Sequence, residues 1–260
     1  MKRNVFITVF LLSIFCLASA QDIEQKMKDQ GVAKGAIYKD GKEIQGYIKQ
    51  KGTVFVGSTT ASEQYMPAPW DFQGDIKFIP KDEFENTAKI KGNMYKKYGP
   101  KDISSYTYED TNFEAVKYAD MTAVGLAMIP KWMFMKKVID GPISIFYYYS
   151  SPGAVVVGNI EATYKECAQE TIVYQKGKGG KLKSITRGIK GVNIDKDLED
   201  CPFVKAKLDN KEYDTNALDG SGLENNKLGK LIGKLNNLSD AGVTASRLLA
   251  IEDYNTNCGK

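Results

Sequence analysis

The sequence predicts an α+β fold: a β-rich antiparallel body, as a sandwich or partial barrel, followed by a short helical C-terminal segment. Three observations carry this. Residues 35 to about 187 read as short extended stretches broken by turn residues. "YKDGKE" puts Asp40-Gly41 between two extended arms, the strongest short hairpin signal. Beyond Asp195 the spacing turns helical, with Leu228, Leu231, Ile232, Leu235 and Leu238 on one stripe. The expected division is a leader at 1–20, a β-rich domain at 21–190 and a helical segment at 191–260 packed on it.

The leader comes first. Lys2 and Arg3 precede an apolar run from Val5 to Leu17, and Ala18-Ser19-Ala20 offers a small-residue cleavage site before Gln21. That is the layout of a secretory signal peptide. The run is 13 residues long, short of the about 20 needed to span a bilayer. Cys16 raises a lipoprotein alternative, but Phe15 stands where lipid attachment needs a small residue. An exported chain is expected: periplasmic, outer-membrane-associated or secreted. Cleavage removes Lys2 and Arg3, so a net charge of +4 becomes +2, too small a surplus to argue for nucleic acid. No later stretch has 18 consecutive apolar residues, so no transmembrane span is expected after cleavage.

In the body, a two-residue turn at Asp40-Gly41 pairs Lys39 with Lys42, Tyr38 with Glu43 and Ile37 with Ile44. Further extended stretches are expected at 53–57, 75–79, 105–108 and 154–158. "WMFMKKVIDGPISIFYYYSSPG" at 132–153 is the second hairpin. Pro142 has no N–H to close a two-residue turn, so this loop must be longer or open on that side. Past it, Ile143, Ile145, Tyr147 and Tyr149 face one way, and Ser144, Phe146 and Tyr148 the other. Such a strand is buried on both faces, or buried on one and offering aromatics on the other. The candidate ligand-binding residues are therefore Trp132, Tyr147 and Tyr149, with Trp70 and Phe72 from the Pro-rich loop "YMPAPWDF". A third hairpin is expected at 171–187, with Gly177, Gly179 and Gly180 at its tip.

In the tail, acidic residues open "NIDKDLEDCPFVKAKL", which favours a helix N-terminus. Pro202 suits a first turn and weakens any longer helix. Residues 214–226 read as a loop and 244–255 as a last short helix. Of the four cysteines, Cys167, Cys201 and Cys258 survive cleavage, which leaves three pairings open, or three reduced thiols. Cys201–Cys258 is preferred because it ties down a chain end that would otherwise fray. A loop of that length is worth about 4 kcal/mol in the chain-entropy account.

The composition excludes much chemistry. There is no histidine, so Ser-His-Asp and Cys-His catalysis and His-ligated zinc are out. Ser-x-x-Lys and Gly-x-x-x-x-Gly-Lys do not occur, and "GSGLEN" lacks the third glycine of a dinucleotide loop. No catalytic residue, metal or cofactor is assigned. Asp195, Asp197, Glu199 and Asp200 are a calcium candidate that reads better as a solvated helix start. An EF-hand at 214–225 fails because Gly220 is its seventh position and Asn225 its twelfth. Two clusters are candidates for an anionic surface: Lys176, Lys178, Lys181 and Lys183 on the hairpin, and Lys227, Lys230 and Lys234 beside the leucine stripe. They read better as a solvated turn and a packed helix.

"YKDGKEIQGYI" at 38–48, "KVIDGPISIFYYY" at 137–149, "DCP" at 200–202 and "YNTNC" at 254–258 resemble stretches of uncharacterised exported β-rich envelope proteins of Bacteroidota. The resemblance implies export, a β-rich envelope domain followed by a short helical segment, and a bridge between Cys201 and Cys258. It brings no activity and no catalytic residues. The expected role is non-enzymatic, binding or scaffolding an envelope protein, a glycan or a lipid surface, with no nucleic acid. Two alternatives stand beside it. One is a carboxylate-dependent glycoside hydrolase, which would need two acids converging in a cleft beside aromatics. The other is a peripheral membrane-surface protein.

Overall fold

A helix not foreseen in the sequence begins the chain as the computed structural model describes it. That structure covers residues 21–49, 53–57, 63–66, 68–119, 129–150, 155–158, 168, 170–185, 194–213 and 241–259. Helix α1 (21–30) ends at Gly31, whose φ of 60° lets it serve as a left-handed cap. Gly31 N–H donates to Lys28 O and Val32 N–H to Met27 O, the paired bonds of a Schellman ending. Its Ile23 and Met27, one turn apart, pack with Val32 against Tyr47, Ile79 and Phe84.

Strands β1 (Ala33–Lys39) and β2 (Lys42–Lys49) form the Asp40-Gly41 hairpin in the expected register, with Lys39 opposite Lys42 and Ile37 opposite Ile44. Asp40 and Gly41 both have positive φ, 52° and 75°, as a primed turn requires. The chain continues through β3 (Thr53–Gly57), β4 (Glu63–Met66), a 3₁₀ turn (Pro69–Gln73), β5 (Ile76–Pro80), helix α2 (Lys81–Asn86), β6 (Lys96–Tyr98), β7 (Ser105–Tyr108) and β8 (Thr111–Tyr118). It goes on through β9 (Lys131–Ile139), β10 (Ile143–Tyr148), β11 (Val155–Gly158), β12 (Thr171–Lys176) and β13 (Leu182–Ser184). Ten of these make one antiparallel sheet in the order β13-β12-β10-β9-β8-β7-β1-β2-β5-β6, and β11-β3-β4 form a second, smaller sheet. The fold is α+β with a β-rich body.

The large sheet curls over an apolar core shared by its strands from β9 to β5. Ile37, Ile48, Ile76, Phe78, Tyr106, Phe113 and Phe134, from six of its strands, form a single buried cluster. Gly35 and Gly46 face each other across β1 and β2. A Cβ on Gly46 would stand 2.2 Å from Ile79 O, and one on Gly35 2.1 Å from Thr107 O. Only glycine lets the neighbouring backbones come this close.

The Asp140-Gly141-Pro142 turn is open, as proline demands. The first β9–β10 pair is Ile139 with Ile145, with a register shift just after it. Pro142 O accepts from Gly177 N–H at 2.7 Å, on the β12 side. Ile143 therefore turns its own peptide groups the other way, where β9 has already left. The Asn255 side chain takes the vacant place: Ile143 N–H donates to Asn255 Oδ1 and Asn255 Nδ2 donates to Ile143 O, both at 2.9 Å. Gln73 does the same past the other end of β10, bonding Tyr149 N–H and O at 2.8 and 2.7 Å. Both faces of β10 are buried, Ile143, Ile145 and Tyr147 in one cluster, Phe146 and Tyr148 in another.

The first of these faces carries the helical tail, α3 (Ile194–Leu198), α4 (Pro202–Asp209) and α5 (Ala241–Asn257). Pro202 occupies the first turn of α4 and separates it from α3. The last helix, 17 residues, is longer than expected. Leu198, Val204, Leu248, Ile251 and Tyr254 pack on Ile143, Ile145, Ile172 and Tyr174. Cys201 and Cys258 are joined, with Cα atoms 5.6 Å apart, which clasps α4 to the end of α5. Asp253 adds a polar tie, accepting from Lys207 Nζ at 2.8 Å and Tyr213 OH at 2.9 Å. Among the described residues no helix is long and apolar enough to cross a membrane. The leader, Cys167, the loop at 214–226 and the leucine stripe lie outside the described residues.

A candidate binding cleft at Trp132

Trp132 is the second residue of β9. Two residues on, Phe134 points into the curled core and is fully buried. Alternation along the strand puts Trp132 on that same face, one pleat beyond the rim of the core. It is 44% exposed, and Ile129, just before the strand, is 58% exposed. Lys117 stands directly across from Trp132 on β8.

The curl of the sheet brings distant chain segments to this rim. Asp75, before β5, and Gly99 to Asp102, after β6, meet Lys117, Lys131 and Trp132 around an open cleft of about 590 Å³. The 99–102 turn is held by Asp102, whose Oδ2 accepts Gly99 N–H at 2.7 Å and whose own N–H donates to Gly99 O. Asp75 is paired with Lys97 at 2.7 Å. That carboxylate holds the Lys97 ammonium above its usual range. Lys101, Lys117 and Lys131 form no ion pair with any described residue. The cleft thus combines one exposed indole, an excess of positive charge and two carboxylates that can accept hydrogen bonds.

The other aromatic candidates are placed differently. Trp70, Tyr147 and Tyr149 are 4%, 3% and 7% exposed and belong to the core under the helical tail, not to a surface. Their apolar bulk closes the space between β10, β12 and the 3₁₀ turn. Tyr147 lies edge-on to Tyr149, and burial pushes its phenol well above the ordinary range. The Tyr149 hydroxyl donates to Glu170 at 3.1 Å. Phe72 is half-buried, stacked on Phe113 with ring centres 5.2 Å apart. Of the five candidates, Trp132 alone presents a substantially exposed ring, and the structure brings none of the other four to its cleft.

Asp75, Lys101, Asp102 and Lys117 had no mark in the sequence. They are scattered over some forty residues without motif spacing, and only the curl of the sheet assembles them.

The acidic tail segment is engaged elsewhere. Tyr174 OH and Lys183 Nζ both donate to Asp197, and Lys176 Nζ reaches Asp200 Oδ2 at 2.6 Å and Asp197 O at 2.7 Å. Burial alone would raise the Asp197 carboxyl, but Lys183 and Tyr174 outweigh it and hold the group below its usual value. Lys176 first, then Tyr254, hold Asp200 below the usual range too. Two of the four hairpin lysines thus fasten α3 to β12 and β13. Among the described residues no group of three or more His, Cys, Asp or Glu is placed to hold a metal ion. In comparison with known proteins, the chain matches no family model, no curated protein and no solved structure.

Proposed function

We propose that the chain is a non-enzymatic exported envelope protein that holds a partner on the Trp132 face of its β-rich body. The observation that carries this is the exposure of Trp132. Tryptophan is highly buried on average, and it is among the side chains enriched where proteins hold a partner. Here it lies in a cleft with Ile129 close by in sequence, while Trp70 is buried. The secretory layout of residues 1–20 and the resemblance of the short motifs to exported envelope proteins support the compartment.

One observation favours a hydrolase as a second reading: Asp75 and Asp102 line the same cleft as Trp132. A glycosidase acid is kept protonated by burial away from positive charge. Asp75 is instead 44% exposed with the Lys97 ammonium 2.7 Å away. This environment suits holding a ligand better than cleaving one. A membrane-surface role has less support, because Lys176 and Lys183 are engaged by Asp200 and Asp197.

The test is a photo-crosslinking residue placed in the producing cells at exposed Ile129, next in sequence to Pro130 of the cleft, which leaves Trp132 in place, with a second at exposed Lys211 as control. A mature chain beginning at Gln21, found outside the cytosol and giving an adduct from position 129 but not 211, is the expected result. A cytosolic, uncleaved chain, or adducts that do not depend on position, would refute the reading.

A further inference from the structure

We propose that the Trp132 cleft takes an anionic oligosaccharide, an inference that rests on the binding role argued above. Three features of the cleft point to this class. The first is the half-exposed indole, a flat apolar surface on which the C–H face of a sugar ring can lie while its hydroxyls stay wet. The second is charge. Lys117 faces Trp132 across the β8–β9 ladder, Lys101 and Lys131 line the same cleft, and none of the three has an ionic partner among the described residues. Unpaired ammonium groups on one rim make a positive potential that attracts and orients an anion.

The third feature separates a sugar from an acidic peptide. Asp75 and Asp102 stand among the lysines. Their oxygens accept from the hydroxyls that a charged sugar carries beside its anionic groups, whereas the side chains of an acidic peptide bring carboxylates and no such donor. Among the described residues that line the cleft, Trp132 is the one large apolar wall, enough for a sugar ring and too little for the several side-chain slots of an apolar peptide. Its volume of about 590 Å³ lies within the about 300–1,000 Å³ typical of small-ligand sites, room for a few sugar rings.

The test titrates the full mature chain with four probes of matched length: oligogalacturonate, sulfated dextran fragments, neutral dextran fragments and polyglutamate. Trp70 is buried, so a change in tryptophan emission on binding reports Trp132, and calorimetry gives the affinity independently. The expected result is binding of oligogalacturonate, of sulfated dextran, or of both, at least tenfold tighter than neutral dextran and polyglutamate. Trp132→Ala should weaken it tenfold or more. The double variant K101Q/K117Q should weaken it similarly and flatten its dependence on salt. Both variants alter surface groups, so unchanged urea midpoints confirm that the fold is intact. Equal binding of polyglutamate would make the ligand an acidic peptide, and equal binding of neutral dextran would remove the role of charge. Binding of none of the probes also overturns the proposal. The crosslinking from position 129 in cells, with Trp132 intact, then decides separately whether the face binds anything.

Discussion

Replacing Asn255 with alanine tests whether the tail is fastened to the sheet by a side chain acting as a strand. In the native chain the Asn255 amide makes two bonds of 2.9 Å with the peptide groups of Ile143, on the side that β9 has vacated. Ile143 is fully buried, so its N–H and C=O would be left without partners. Each buried group left unpaired costs about 1–3 kcal/mol, so losing both gives an expected loss of about 2–6 kcal/mol. Urea unfolding should show a lower midpoint at unchanged slope, and hydrogen exchange at the Ile143 amide should accelerate. Gly141→Ala attacks the same contact from the other side, since its new methyl would stand 2.9 Å from Asn255 Nδ2. The two losses should therefore be less than additive in the double variant. A loss under about 0.5 kcal/mol, the usual size for an inconsequential surface change, together with unaltered Ile143 exchange, would refute the reasoning.

Three other outcomes follow from the same structure. The Cys201–Cys258 bridge closes a separation of 57 residues, so reduction or the double Ser variant should cost up to about 4 kcal/mol in chain entropy. Guanidinium unfolding with and without reductant measures this, and no difference would mean that the clasp does not restrain the unfolded chain. Asp197 has its folded-state pKa lowered below 3.8, so its contribution is fully present well above that pH and is lost as acid takes the pH through 3.8 and on through the folded value. Asp197→Asn should flatten the acid limb of a stability-against-pH curve; an unchanged limb would exclude the Lys183–Asp197–Tyr174 contact as its source. Gly46→Ala forces a methyl to 2.2 Å from Ile79 O and 2.6 Å from the Phe78 ring, and overpacking of this kind costs about 1–3 kcal/mol. An unshifted thermal midpoint would show that the sheet does not need its close approach there.

Local chemistry accounts for what could be read in advance. The Asp40-Gly41 hairpin and its register, the Gly-rich tip between β12 and β13, and the two faces of β10 all follow from turn residues and period-two alternation. Pro202 as a helix start and the open Pro142 turn follow from a missing N–H. Helix α1 was not legible, because Ile23 and Met27 are a thin apolar stripe in a polar segment that gains its stability from packing on Tyr47 and Phe84. The five aromatic candidates were alike in composition, and nothing nearby in the sequence distinguished Trp132, at the rim of a core, from Trp70, inside one.

The sequence by itself determined where the chain turns, which residues alternate across its strands, and the absence of histidine chemistry, since each depends on a residue's own backbone or side chain. Only the tertiary structure decided which aromatics meet solvent and which charges are already paired. Asp197 lies against Lys183, while Lys117 and Trp132 share a cleft with Asp75 and Lys101. Those neighbours are made by the curl of a ten-stranded sheet, and its curvature is a property of all the strands packing together.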